Sequence, residues 1–128
     1  MNRILIAEEH PESRKVMADL CMEAGYNVTV TTTAAAVLQG ILKKTAQVIL
    51  LGSSFDELAA TDLIPLFKKC CRNLTIILVS NEASLPVIRK MRNEGIFYHL
   101  LRPVLPEDRE ELKQVINCAL HQPKRCYC

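Results

Sequence analysis

Two adjacent carboxylates and two other polar side chains could carry chemistry in this chain. Glu8 and Glu9 directly follow one short apolar run, Ser80 follows another, and Arg102 stands next to Pro103. Adjacent carboxylates supply the oxygen ligands that a hard cation prefers. A hydroxyl and a guanidinium close to them would suit a phosphate or acyl-phosphate group. Plainer interpretations stay open: a solvated acidic turn, a serine that caps a turn, and an arginine that pairs with a glutamate.

These residues can meet only if strands and helices alternate along the chain. Short apolar runs predict strands at Arg3–Ala7, Asn27–Thr31, Val48–Leu51, Thr75–Val79 and Phe97–Leu101. Apolar residues at helical spacing predict helices at Pro11–Ala24, Ala34–Lys43, Asp62–Cys71, Leu85–Glu94 and Pro106–Leu120. The same spacing places Leu42 and Leu66 among the residues that face the core.

This alternation favours an α/β fold, with a parallel sheet and helices on both of its faces. In such sheets, ligands gather at the carboxyl ends of the strands. The two glutamates, Ser80 and Arg102 all fall at such ends. We therefore expect them to lie at one edge of the sheet.

Length and composition fit a single globular domain. The chain has 128 residues, of which 49% are hydrophobic and 23% charged, with a net charge of +2. These values exclude disordered and collagen-like chains. Only 5% of the residues are aromatic and Trp is absent, so a nucleic-acid partner is not expected. The apolar runs are too short to span a membrane, and the N-terminus does not resemble a secretory signal, so we expect a cytoplasmic protein.

Six cysteines and three histidines raise the question of disulfides or a metal site. A Cys-x-x-Cys pair is absent and a core of this size needs no covalent link, so reduced thiols are expected. We interpret His10 and His121 as surface or capping residues. Cys126, Cys128 and His121 could together be the ligands of a metal site, but a Cys-x-Cys spacing at a terminus is weak evidence for such a site.

The order and spacing of the polar residues resemble the receiver domain of bacterial two-component response regulators, along essentially the whole chain. Glu8 and Glu9 match the acidic pair that binds magnesium after the first strand of that family. Ser80 matches the Thr or Ser that follows a phosphoryl group, and Arg102 with its proline matches a Lys-Pro after the fifth strand. His99 falls on the aromatic switch position, three residues before that lysine.

Gly25-Tyr26 before the second strand is a further match to the family. The resemblance also implies an architecture and a role. The expected fold is flavodoxin-like and doubly wound, a five-stranded parallel sheet in the order 2-1-3-4-5. It is expected to span residues 1–121, and we expect the short C-terminal tail, residues 122–128, to be flexible. The implied role is a signalling module rather than an enzyme, with a protein partner on the fourth helix, fifth strand and fifth helix.

The fourth helix carries a basic face formed by Arg89, Lys90 and Arg92. This face suits docking of a partner, or it is only a solvated helix surface. The sequence leaves the oligomeric state open, a dimer included.

Position 52 departs from the family pattern. The family's phosphoacceptor Asp closes the third strand, and this chain has Gly52 there, which has no side chain to become an acyl phosphate. Arg102 stands in place of the lysine, and its planar guanidinium group differs in shape from an ammonium group. Glu8 and Glu9 each have a side chain one methylene longer than that of Asp. With one carboxylate gone, magnesium is expected to bind weakly at the two glutamates or not at all, and no other cofactor is expected.

The sequence thus predicts a pseudo-receiver, which is not phosphorylated and acts through protein contacts in two-component signalling. In one alternative, Ser53, Ser54 or Asp56 accepts the phosphoryl group instead, although a serine needs an activating base. A second alternative is a small α/β nucleotide-binding or enzymatic domain. Against it, neither a glycine-rich phosphate loop after the first strand nor a G-x-S-x-G elbow occurs.

Overall fold

The computed structural model describes residues 3–81, 84–103 and 105–121. In chain order, the strands are β1 (Arg3–Ala7), β2 (Asn27–Val30), β3 (Val48–Leu51), β4 (Ser54–Phe55), β5 (Leu58–Ala59), β6 (Thr75–Val79) and β7 (Tyr98–Leu100). Five of them form a parallel sheet in the order β2-β1-β3-β6-β7, and β4 and β5 form a separate antiparallel hairpin. Without the hairpin strands this order is 2-1-3-4-5, so the predicted fold class is confirmed.

Helices cover both faces of this sheet, because its central strands are apolar on both sides. The helices are α1 (Pro11–Glu23), α2 (Ala34–Leu42), α3 (Ala60–Cys70), α4 (Leu85–Glu94) and α5 (Pro106–Leu120). Successive residues of a strand point to opposite faces. Accordingly, Leu5 packs in one buried cluster with residues of α2, α3 and α4, whereas Ile4 and Ile6 pack in another with residues of α1 and α5.

The predicted inward positions of Leu42 and Leu66 are wrong. Their exposed fractions are 68% and 41%. Each residue of an α-helix turns the side-chain direction by about 100°, and both leucines lie about 100° from the centre of their helix's buried stripe. The buried stripe of α3 is formed instead by Ala60, Leu63, Ile64 and Phe67.

The hairpin β4–β5 was not predicted, and it immediately follows the end of β3. Its turn is made by Asp56 and Glu57, with φ of 53° and 63°. Two successive residues with positive φ are typical of the tight turn that joins two antiparallel strands. Phe55 anchors the hairpin in the core with an exposed fraction of only 1%. The hairpin therefore fixes the segment that follows the central strand.

A glycine with left-handed backbone ends α4. Gly95 has φ of 107°, and its N–H donates to the carbonyl oxygens of Met91 and Arg92. A Cβ at this position would lie 3.1 Å from Cε of Lys68. We expect Gly95→Ala to lower the free energy of unfolding by about 1–2 kcal/mol, measured by urea unfolding. Gly25→Ala is the matched control, because Gly25 has φ of 85° but open space around its Cβ position. An equal or larger loss in that control would contradict the steric part of the argument.

Among the described residues, four cysteines form no disulfide: Cys21, Cys70, Cys71 and Cys118. Cys21 lies on the sheet-facing side of α1, and burial raises the pKa of its thiol to about 12. The tail 122–128, with Cys126 and Cys128, lies outside the described residues. Of the helices that the structure describes, none has both the length and the apolar composition to cross a membrane.

Candidate functional site

Ends of four parallel strands meet where the sequence predicted a site. Glu8 follows β1 and Gly52 follows β3, and the N–H of Gly52 donates to the carbonyl of Ala7 over 3.0 Å. The end of β6 is joined to β7, because the N–H of Ser80 donates to the carbonyl of Leu100 over 2.8 Å. The predicted site residues thus lie at the carboxyl edge of one sheet.

The carboxylate of Glu8 occupies the space in which a side chain at position 52 would lie. A Cβ built on Gly52 would be 2.6 Å from Oε2 of Glu8 and 2.8 Å from Oε1. Such distances are shorter than any normal contact of a Cβ atom. Gly52 is not one of the glycines with positive φ, which are Gly25 and Gly95. The glycine is therefore needed here for the room that it leaves to Glu8, and not for its backbone conformation.

Glu8 is almost fully buried, with an exposed fraction of 1%. Oε1 accepts a hydrogen bond of 3.0 Å from the N–H of His10, whereas Oε2 has no hydrogen-bond partner within the described part of the chain. Burial raises the pKa of Glu8 above its ordinary value, and the N–H of His10 and the positive charge of Arg102 oppose that rise without cancelling it. The Glu8 carboxyl therefore loses its proton less readily in the folded chain than in the unfolded chain.

This raised pKa predicts a pH dependence of stability. Below the ordinary pKa of 4.5 the carboxyl is protonated in both states, and its contribution to stability is fully present. As the pH rises through the raised pKa, the unfolded chain has already lost its proton, so the contribution is lost. We expect Glu8→Gln, which cannot ionise, to gain stability relative to the natural chain as the pH rises from 4.5 towards neutrality.

Urea unfolding at a series of pH values measures this difference. The control is Glu9→Gln, because the neighbouring carboxylate of Glu9 is exposed rather than buried. A constant difference between the natural chain and Glu8→Gln over the whole series would refute the argument.

Glu9, the second glutamate of the pair, contacts the hairpin β4–β5 and not the residues that surround Glu8. Glu9 is exposed, and its Oε1 accepts a hydrogen bond of 2.5 Å from Oγ of Ser54. The carboxylates of Glu8 and Glu9 therefore contact different elements. In the described ranges, no group of three or more His, Cys, Asp or Glu is placed to hold a metal ion. A magnesium ion, which prefers near-octahedral oxygen ligands, is thus a poor fit for these residues.

Asp56 is engaged by another element. Its Oδ2 accepts a hydrogen bond of 2.9 Å from the N–H of Ala34, the first residue of α2. A carboxylate at a helix N-terminus is stabilised by the free N–H groups and the helix dipole. Asp56 therefore connects the hairpin to α2.

His99 contacts the end of β6 through its ring. Nε2 of His99 lies 2.9 Å from the carbonyl oxygen of Ser80. A carbonyl only accepts hydrogen bonds, so Nε2 carries the hydrogen. Ser80 is fully buried and His99 is half-buried. The predicted switch residue thus points towards the predicted site and is bonded to its backbone.

Two residues in these contacts were not singled out as site residues from the sequence. His10 caps α1, since its Nδ1 accepts from the N–H of Ser13 over 3.3 Å, and its own N–H binds Glu8. Asn81 accepts from the N–H of Arg102 over 2.8 Å and so joins the segments after β6 and β7. The position of Asn81 directly after Ser80, at a strand end, was the available sequence signal.

Comparisons with known proteins show which proteins the chain is similar to. The model of the response regulator receiver domain family matches residues 4–117. The DNA-binding transcriptional regulator NtrC of Rhizobium meliloti (strain 1021) is 28% identical over 122 residues, which are 95% of this chain and 25% of that protein. The chain spans about a quarter of the length of the curated relatives that it matches.

Solved structures share the fold. A response regulator receiver domain protein from Clostridium thermocellum has a TM-score of 0.81 and 19% identity, and the match covers 94% of each chain. The beryllofluoride-activated NtrC4 receiver domain dimer has a TM-score of 0.78 and 20% identity, and covers 94% of this chain and 97% of that one.

Proposed function

Because the chain belongs to the response regulator receiver domain family, which its residues 4–117 match, we propose that it is a receiver that signals without being phosphorylated. One observation carries the proposal: the Glu8 carboxylate lies where the side chain of an acceptor at position 52 would be. Receiver domains are signalling modules. The proposed role is therefore binding of a protein partner in a two-component pathway rather than catalysis, in the cytoplasmic location predicted from the sequence.

The surroundings of the other carboxyl and hydroxyl groups that could accept a phosphoryl group support this proposal. An acyl phosphate forms only on a carboxylate that a phosphodonor can reach. Glu8 has an exposed fraction of only 1%, so a phosphodonor does not reach its carboxylate in the folded chain. The hydroxyl of Ser54 donates to Glu9, and Asp56 is bound at the start of α2. Neither Ser54 nor Asp56 is placed as the Glu8 carboxylate is, directly over Gly52.

Incubation of the full chain with acetyl phosphate and Mg²⁺, followed by intact-mass measurement, tests the proposal. We expect the mass to remain unchanged, while a receiver that carries the acceptor Asp and is treated in parallel gains one phosphoryl group. A stoichiometric adduct on this chain would overturn the proposal. Mapping that adduct to Ser53, Ser54 or Asp56 would establish the alternative of an atypically phosphorylated receiver.

For the partner, we propose the surface formed by α4, β7 and α5. It exposes large apolar side chains, with exposed fractions of 44% for Tyr98 and 54% for Leu101, and the basic face of α4 is exposed as well. Exposed apolar residues next to charged ones are typical of protein-binding surfaces. One similar receiver structure, that of NtrC4, is a dimer.

Capture of the partner from a cell extract by the immobilised chain tests this surface. Leu101→Ser is expected to abolish capture, because it removes an exposed apolar contact. Met22→Ser is the control, since Met22 is similarly exposed, at 56%, but lies on α1. Equal capture by both variants would show that the partner binds at a different surface.

A further inference from the structure

A small cavity lies between the first turn of α1 and the segment that leads from β7 into α5. Its volume is about 170 Å³, and its walls include the side chains of Arg102 and Arg109. Arg102 is half-buried, and Arg109 lies in the first turn of α5. The cavity is not part of the contact between Glu8 and Gly52, although two of its lining residues, His10 and Arg102, also belong to the surroundings of Glu8.

The electrostatics of this cavity favour an anion. The guanidinium fork of an arginine matches the oxygens of a phosphate or carboxylate in a bidentate manner. The cavity also lies beside the first turns of two helices, α1 and α5, whose N-terminal ends carry partial positive charge. Glu12 is the one acidic side chain on the described walls, and it is exposed and can turn towards solvent.

An unsatisfied hydroxyl is a second and independent indication of a ligand. Ser13 lines the cavity and has an exposed fraction of 6%. Its Oγ has no hydrogen-bond partner among the residues that the structure describes, whereas its N–H is already bound to Nδ1 of His10. Buried hydroxyls almost always have a partner. An oxyanion in the cavity would supply the missing acceptor.

We propose that this cavity binds a phosphate group, with Arg102, Arg109 and Ser13 as its ligands. A volume of about 170 Å³ is below the range of roughly 300–1,000 Å³ for sites that hold drug-sized molecules, so the site fits a phosphate group and not a whole nucleotide. The binding is reversible and involves no covalent step. The proposal does not depend on the proposed function.

Titration of inorganic phosphate into the full chain at constant ionic strength, followed by amide chemical shifts, tests the site. We expect saturable shifts confined to the first turns of α1 and α5. Binding should weaken about tenfold in Arg109→Gln and by a smaller factor in Ser13→Ala, because each loses one hydrogen-bonding group. Arg92→Gln, at an exposed arginine of α4, is the matched control and should bind as the natural chain does.

Shifts that do not saturate would overturn the proposal, and so would equal weakening in Arg109→Gln and Arg92→Gln. A short peptide with phosphoserine distinguishes the source of the phosphate group. Tighter binding of the peptide than of inorganic phosphate identifies a phosphorylated protein side chain, and equal binding identifies free phosphate. Failure here leaves the intact-mass result untouched, because that experiment detects only covalent attachment.

Discussion

Gly52→Asp is expected to lower the free energy of unfolding by about 2–4 kcal/mol, although it restores the acceptor residue of the family. The new Cβ would lie 2.6 Å from Oε2 of Glu8, so the Glu8 side chain must leave a buried position. The new carboxylate would also lie close to that of Glu8, and like charges in a buried site repel. Urea unfolding of the two proteins at neutral pH measures the loss.

Removal of the colliding side chain should relieve this loss. In a double-mutant cycle with Glu8→Ala, we expect an interaction energy of about 1–3 kcal/mol, because the double variant has room for the new Asp. Asn81→Asp is the control for an added carboxylate nearby, since Asp can still accept the hydrogen bond from Arg102. If Gly52→Asp were as stable as the natural chain, Glu8 could not be occupying this space.

Phe55→Ala is expected to lower the free energy of unfolding by about 3–5 kcal/mol. Phe55 is one of the largest fully buried side chains and packs in one cluster with Leu51 of β3 and Leu63 of α3. Its truncation leaves a cavity beside the central strand and releases the hairpin. The hydrogen bonds that Ser54 and Asp56 make from this hairpin should weaken as a consequence.

The control for this prediction lies in the same hairpin. Leu58 pairs with Phe55 across the two strands but has an exposed fraction of 42%. We expect Leu58→Ala to change the free energy of unfolding by less than about 1 kcal/mol. Similar losses in the two variants would show that Phe55 does not anchor the hairpin in the core.

Most of the sheet could be predicted because its central strands leave little ambiguity. Val48–Leu51 and Thr75–Val79 are apolar at every position or nearly so, which fits strands that are buried on both faces. The hairpin could not be predicted, since its turn residues, Asp56 and Glu57, are not the Asn-Gly or Asp-Gly pair that favours such turns. Tertiary contacts of Phe55, which are invisible in the sequence, hold it in place.

The location of the candidate site could also be predicted, but the direction of Glu8 could not. Strand ends fixed where Glu8 and Arg102 lie, because parallel strands end at one edge. Whether a carboxylate turns to solvent or into the protein depends on the space that distant residues leave. A usable signal existed: a side chain that is one methylene longer than Asp at position 8, together with an absent side chain at Gly52.

The rate at which Cys21 is alkylated can report on movement of α1. Only the thiolate reacts with alkylating reagents, and Cys21 is 1% exposed with a pKa of about 12. Its alkylation therefore requires α1 to separate from the sheet, whereas the exposed Cys118 can react without such a movement. The ratio of the two alkylation rates would therefore measure how often α1 separates from the sheet. The first turn of this helix lies next to Glu8.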